Sequence, residues 1–204
     1  MKNLITQLRI SLMATLSLAA ILCGIYPLVV WLLAQGLFPA NANGSLGMGN
    51  EKILGSSLIS QEFTGPKYFH PRPSAAGHGY DATSSGGSNL GPLSKKLVET
   101  VRQRVDEYRS ENNLPRDVPV PADAVTASAS GLDPHISVKN ALIQAPRVAK
   151  ARGLSEDLVL KQIKLHTEGR DLGIFGEPRV NALMLNLALD GTPVVTSATS
   201  SGRD

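Results

Sequence analysis

Residues Ile10 to Ala34 form a run of 25 residues without a charge, ISLMATLSLAAILCGIYPLVVWLLA. No other feature limits the possible folds as strongly. At ~1.5 Å per residue, a helix of that length is about 37 Å long. It crosses a hydrocarbon core of roughly 30 Å with some tilt. Nothing after Leu37 resembles it. The sequence therefore predicts a short N-terminal segment at 1–9, one transmembrane helix at 10–35, and a long hydrophilic remainder.

Charge sets the expected orientation. Lys2 and Arg9 are the only charged side chains before Glu51, and no Lys or Arg follows the span until Lys52. By the positive-inside rule, residues 1–9 are cytoplasmic and the chain from about Gly36 is periplasmic or extracellular. A cleaved signal peptide is the alternative, because Ala40-Asn41-Ala42 matches the small-residue cleavage pattern. The apolar run, however, is about twice the usual ~7–15 residues, which favours a retained helix in the plasma (inner) membrane. Beyond the span lie 18 basic and 17 acidic residues. That balance gives no electrostatic footprint for nucleic acid. The single cysteine, Cys23, lies in the span, which excludes an intramolecular disulfide.

Inside the span, Pro27 is placed to kink the helix. Ser17, Ala20 and Gly24 share one face at helical spacing. Ala20-xxx-Gly24 is a small-xxx-small pair that admits a partner helix at close range.

The rest reads as a linker at 36–52, an α+β domain at 53–190 and a disordered tail at 191–204. A strand is expected within Ile53–Phe63, and loop over Gly77–Gly91. Leu93, Leu97, Val98, Val101, Val105 and Tyr108 recur at helical spacing and predict a helix at 92–112. Ser137 is placed to cap a helix over Val138–Ala151, and Ser155 one to about Thr167. Leu183, Leu185, Leu187 and Leu189 alternate, which favours a half-buried strand over Val180–Leu189.

Nucleotide machinery is absent: there is no GxxxxGK[ST], no GxGxxG and no Asp-Lys-Thr-Gly. The nearest pattern is Ser84-Ser85-Gly86-Gly87-Ser88-Asn89, which partly matches the LSGGQ signature of ABC ATPases. The expected topology places Gly86, Gly87 and Asn89 on the side without ATP, so a turn or a partner-contacting loop is the favoured reading. Ser128, Ser130, Asp133 and His135 cluster between Thr126 and Ser137. They raise the alternative of a membrane-anchored periplasmic hydrolase using Ser128 or Ser130 with His135. There is no GxSxG elbow, and sequence neighbours seldom form a triad. The four histidines lack metal-ligand spacing. The residues thus point to a single-span protein with a non-catalytic exterior domain, a subunit that works through partners.

The same motifs carry a resemblance. Gly55-Ser56-x-Leu58-Ile59 with Gln61, Tyr68-Phe69, Arg72-Pro73-Ser74 and Ser85-Gly86-Gly87-Ser88-Asn89-Leu90 come first. Val125-Thr126-Ala127-Ser128 then leads into Ser130-Gly131-Leu132-Asp133-Pro134-His135-Ile136-Ser137. Gln144, Arg147-Val148-Ala149, Thr167-Glu168-Gly169, Gly176-Glu177-Pro178 and Val180-Asn181 complete the order. The chain resembles the C subunits (KdpC) of bacterial Kdp potassium-transporting P-type ATPases. Pro71, Ala129 and Ser60 stand where that family usually has glycine. The resemblance implies three partners: a channel-like potassium-binding subunit, an ATP-hydrolysing P-type subunit and a small helical peptide. ATP and potassium are then used by the complex, and no cofactor or metal is assigned to this chain. It also implies a catalytic-chaperone role that raises the ATP affinity of the ATPase subunit, with an SGGS-type motif invoked for it.

Overall fold

The computed structural model describes residues 2–49, 52–191 and 195–196. The chain divides into two compact units, Met1–Leu46 with Thr196–Asp204, and Gly47–Val195.

The first unit is dominated by one long apolar helix. α1 spans Lys2–Ala19, a π-helical segment covers Ala20–Ile25, and α2 spans Tyr26–Leu37. The stretch Asn3–Leu37 is long and apolar enough to cross a membrane. The helix begins earlier than the charge-free run, because residues 2–9 hold no breaker and Lys, Leu, Gln and Arg favour helix. The π segment has a local cause. Pro27 has no N–H, and its ring would meet the Cys23 carbonyl four residues back. The ladder shifts one residue ahead of it, so that the Tyr26 N–H donates to the Ile21 carbonyl, five residues back. Within 36–52, read as linker, the chain forms α3, Pro39–Ala42, then β1, Leu46–Gly49, and the start of β2, Lys52–Ser56.

The second unit is a mixture of helices and two small sheets. After β2 come α4, Lys95–Asn112, and α5, Ala122–Val125. Then follow β3, His135–Ser137; α6, Val138–Arg152; and α7, Glu156–Leu165. β4, Thr167–Glu168, β5, Arg179–Asn181, α8, Ala182–Leu189, and β6, Val195–Thr196, complete the order. One sheet runs β2-β1-β6 and the other β3-β5-β4. β6 lies in the stretch expected to be a disordered tail; most of that tail falls outside the described residues.

Polar caps set the helix starts. Ser94, Ser137 and Ser155 accept from the backbone N–H of Leu97, Asn140 and Leu158. Asn113 and Gly153 end α4 and α6 in the left-handed region. The stretch 182–189 is helix, not the strand its alternation favoured. Its apolar residues surround the helix instead of marking a period, and Asn181 caps it by accepting from the Met184 N–H. Two strand-to-helix junctions therefore lie side by side. β3 runs into α6 through Ser137 and β5 into α8 through Asn181, with Ile136 opposite Val180 in the antiparallel pair.

The core forms where these junctions meet α7. Ile136 and Val180 face Ala141, Ala145 and Val148 of α6, Val159 and Ile163 of α7, and Leu185 of α8, all nearly inaccessible to solvent. Phe69 enters this core from a long stretch without regular structure. Two buried amides hold its backbone. Asn186 accepts from the Phe69 N–H and donates to its carbonyl, at 2.8 and 2.9 Å. Gln144 does the same for His70, at 2.8 and 3.1 Å. The two side chains stand in for a neighbouring strand and satisfy backbone groups that would be costly to bury unpaired.

Candidate functional site

The site is a junction of loops around Gly131. Gly131 has φ +69°, and a Cβ there would lie 2.7 Å from both the Ala76 nitrogen and the Gly86 carbonyl oxygen. Only glycine fits both the conformation and the approach. Three segments meet at this point. The Gly86 N–H and the Ser85 hydroxyl both donate to the Ser130 carbonyl, at 2.9 and 3.0 Å. The Ser74 hydroxyl donates to the Gly131 carbonyl at 2.7 Å and accepts from the N–H groups of Ala76 and Tyr80. The Ser60 N–H donates to the Leu132 carbonyl at 2.9 Å.

The structure thus brings together the two motifs singled out in the sequence, the Gly86–Asn89 stretch and the Ser128–His135 stretch. It does not make the first a phosphate cradle. Such a cradle needs several free, convergent backbone N–H groups. Here the Gly86 N–H is committed to Ser130. A Cβ on Gly87 would lie 3.0 Å from the Ala129 carbonyl oxygen, so the neighbouring loop backbone covers that face. Asn89 adopts φ +51° and turns the chain toward α4. The α4 N-terminus is capped by Ser94 itself. These residues do not fit ATP at that motif.

A chain of polar and charged side chains extends from the junction. Arg72 donates to Asp133 at 3.1 Å and to the Ala127 carbonyl at 3.4 Å. The other Asp133 oxygen accepts from the His135 backbone N–H at 3.0 Å and lies 3.3 Å from ring Nδ1. His135 Nε2 lies 3.5 Å from Glu168, which accepts from Arg179 at 2.9 Å; Arg179 also pairs with Asp171. Glu168 and Arg179 face each other because β4 and β5 pair in that register. Burial pushes Asp133 upward, but hydrogen bonds from the His135 ring and backbone N–H, and from Arg72, outweigh it and hold the carboxyl at about 2. Arg72, Asp123, Asp133, His135, Glu177 and Arg179 line a shallow depression of about 400 Å³.

The geometry does not assemble a triad. The Ser128 hydroxyl lies 3.4 Å from that of Ser130, and the Ser130 hydroxyl accepts from the Leu132 N–H. Among the described residues, neither hydroxyl bonds to His135, whose ring sits between two carboxylates. No group of three metal-ligating side chains occurs among the described residues. What this arrangement does chemically is cross-link loops. Asp123 works alongside it, accepting from the Ser137 N–H, the Ser137 hydroxyl and the Asn140 amide. Arg72, Glu168, Arg179 and Asp123 were not singled out as site residues. The pairing of β3, β5 and β4 brings Glu168 and Arg179 near; Arg72 arrives on a stretch without regular structure, and Asp123 on α5.

Ala20 and Gly24 both fall in the π segment. The widened turn keeps them neighbours but takes Ser17 out of strict line with them. A Cβ on Gly24 would meet no atom within 4 Å, so nothing in the chain itself requires glycine there.

Comparison with known proteins covers nearly the whole chain. The family model described as "KdpC: K+-transporting ATPase, c chain" matches residues 8–191. A "Potassium-transporting ATPase KdpC subunit" of Nitratidesulfovibrio vulgaris (strain DSM 19637 / Miyazaki F) is 55% identical over 188 residues, 92% of this chain and 95% of its own. Its counterpart in Koribacter versatilis (strain Ellin345) is 50% identical over 191 residues, 94% and 95% of the two chains. That of Mycobacterium tuberculosis (strain ATCC 25618 / H37Rv) is 57% identical over 166 residues, 81% and 88%. A match spanning nearly the whole chain, together with identities of half or more over most of its length, places this chain in the KdpC family.

Proposed function

We propose that the chain is a non-catalytic accessory subunit of an ATP-driven, high-affinity potassium uptake complex. The observation that carries this reading is the family match over residues 8–191, with relatives described as subunits of a potassium-transporting ATPase. The long N-terminal helix anchors the chain in the bacterial plasma membrane. Lys2 and Arg9 hold the N-terminus in the cytoplasm, and the domain after Gly47 lies outside. Its partners are the channel-like potassium-binding subunit, the ATP-hydrolysing P-type subunit and the small helical peptide of that complex.

The subunit supports assembly and acts as a catalytic chaperone that raises the ATP affinity of the ATPase subunit. The occupied N–H of Gly86 and the covered face of Gly87 argue that it does so without holding nucleotide. The effect is then a coupling free energy between an outer surface and an inner site, typically ~1–3 kcal/mol, or about 5–150-fold in affinity. The linked side chains around His135 hold the outer surface in one shape; they perform no chemistry.

The experiment compares complexes assembled with and without this chain. Expected are loss of potassium-stimulated ATPase activity, or of the complex itself, without it. The purified chain alone should hydrolyse no ATP. Hydrolysis by the chain alone, or full activity without it, would overturn the reading.

A further inference from the structure

The turn between β4 and β5 carries three large apolar side chains into solvent: Leu172 is 89% exposed, Ile174 74% and Phe175 63%. They occupy three of four consecutive positions, with Gly173 between, in a tight turn in which Asp171 and Phe175 exchange both backbone hydrogen bonds, at 2.9 Å each. Leu172 and Gly173 both adopt positive φ, 54° and 75°. Ion pairs brace the base. Arg170 donates to both oxygens of Glu177, and Arg179 spans Glu168 and Asp171. The apolar tip is therefore held out from the domain.

We propose that this turn is the docking tip of the outer domain, seated in an apolar, basic-rimmed cleft of a protein partner; the inference rests on the subunit reading above. The three side chains present roughly 400 Å² of surface, taking ~200 Å² for a fully exposed Phe175, within the aromatic range, and somewhat less for Leu172 and Ile174. That is half the ~800 Å² per partner of a standard interface. A second copy pairing tip to tip would bury too little to hold by itself. A partner subunit already joined to the chain elsewhere needs no more, because tethering turns the contact into an intramolecular one. A lipid surface fits poorly. Three carboxylates, Glu168, Asp171 and Glu177, stand against two arginines at the base, and Asp171 and Glu177 are 69% and 81% exposed. The acidic excess opposes an anionic membrane surface and matches a basic rim. An apolar centre within a charged rim is also the usual anatomy of a protein interface.

The test uses the full-length chain with Cys23→Ser, so that an introduced thiol is the sole one. Ile174→Cys is placed at the tip. Leu93→Cys, at a residue 95% exposed, is the reference. Labelling rates with a membrane-impermeant maleimide are measured for the purified chain, for the assembled complex and for the chain in liposomes containing anionic lipid. Expected is free labelling of Ile174→Cys in the purified chain and at least tenfold slower labelling in the complex, with Leu93→Cys changed less than twofold. Equal rates at the tip in both states, or equal protection of both positions, would overturn the proposal. So would protection that grows with the concentration of the chain alone, which means a second copy, or protection by liposomes alone, which means lipid. If the chain recovers no partner subunit at all, the subunit reading falls and takes the docking tip with it. Loss of tip protection in a complex that assembles sinks the tip alone.

Discussion

Asp133 shows how one carboxylate can serve as a loop fastener. Arg72 and His135 bind its charged form. With a folded value near 2, below the ordinary 3.8, its contribution to stability is complete above about pH 4 and fades as pH falls through about 2. Asp133→Asn removes the titration and keeps the size. Urea midpoints of the two proteins, measured from pH 5 to pH 2, should differ most at the upper end and converge below pH 4. A constant difference across that range would mean that Asp133 is not held in its charged form. The motif was legible in the sequence as a polar cluster, and hydrolysis was one reading of it. What the sequence could not give is Arg72, which lies 61 residues before Asp133. The direction in which Ser128 and His135 face depends on contacts of that range.

At the scale of elements, starts were easier to read than types. Ser137 and Ser155 identified two helix starts because a cap is a local hydrogen bond that works wherever the helix lies; α4, read from periodicity alone as starting at 92, begins at Lys95, after its Ser94 cap. The residues 182–189 misled because a segment that is apolar on nearly every side has no period to read. Its helical state is set by the Asn181 cap and by packing of Leu183 and Leu185 into the core. The π segment was equally out of reach. Pro27 announced a disturbance, but the wider turn ahead of it is one of several ways to absorb a proline. That segment carries a prediction of its own. Since a side chain at position 24 meets nothing in the chain, Gly24→Leu should fold normally and anchor normally. If Ala20 and Gly24 form a helix-docking face, it should nevertheless weaken recovery of the channel-like subunit, with Ala19→Leu as control. Equal recovery of the complex for both variants would remove the docking face.

At the scale of the whole molecule, orientation rests on two charges. Lys2 and Arg9 precede the charge-free run of the apolar helix, and the next basic residue is Lys52. Alkaline phosphatase fused after the domain should therefore be active and remain with the membrane fraction. An inactive fusion, or release of the full-length chain in soluble form, would reverse the orientation or remove the anchor. The clamp on Phe69 and His70 bears on how such a domain comes into being. Its two amides come from Gln144 and Asn186, 74 and 117 residues further along the chain. A ribosome delivers Phe69 long before Asn186. Until the last helix arrives, the Phe69 N–H and carbonyl have only water for partners, so Phe69 cannot settle into the core at low cost. Closing so long a loop is also slow. Vectorial synthesis thus leaves the domain open almost to its end, and a chain cut short before Asn186 lacks both half of its last helix and the bolt that closes the core.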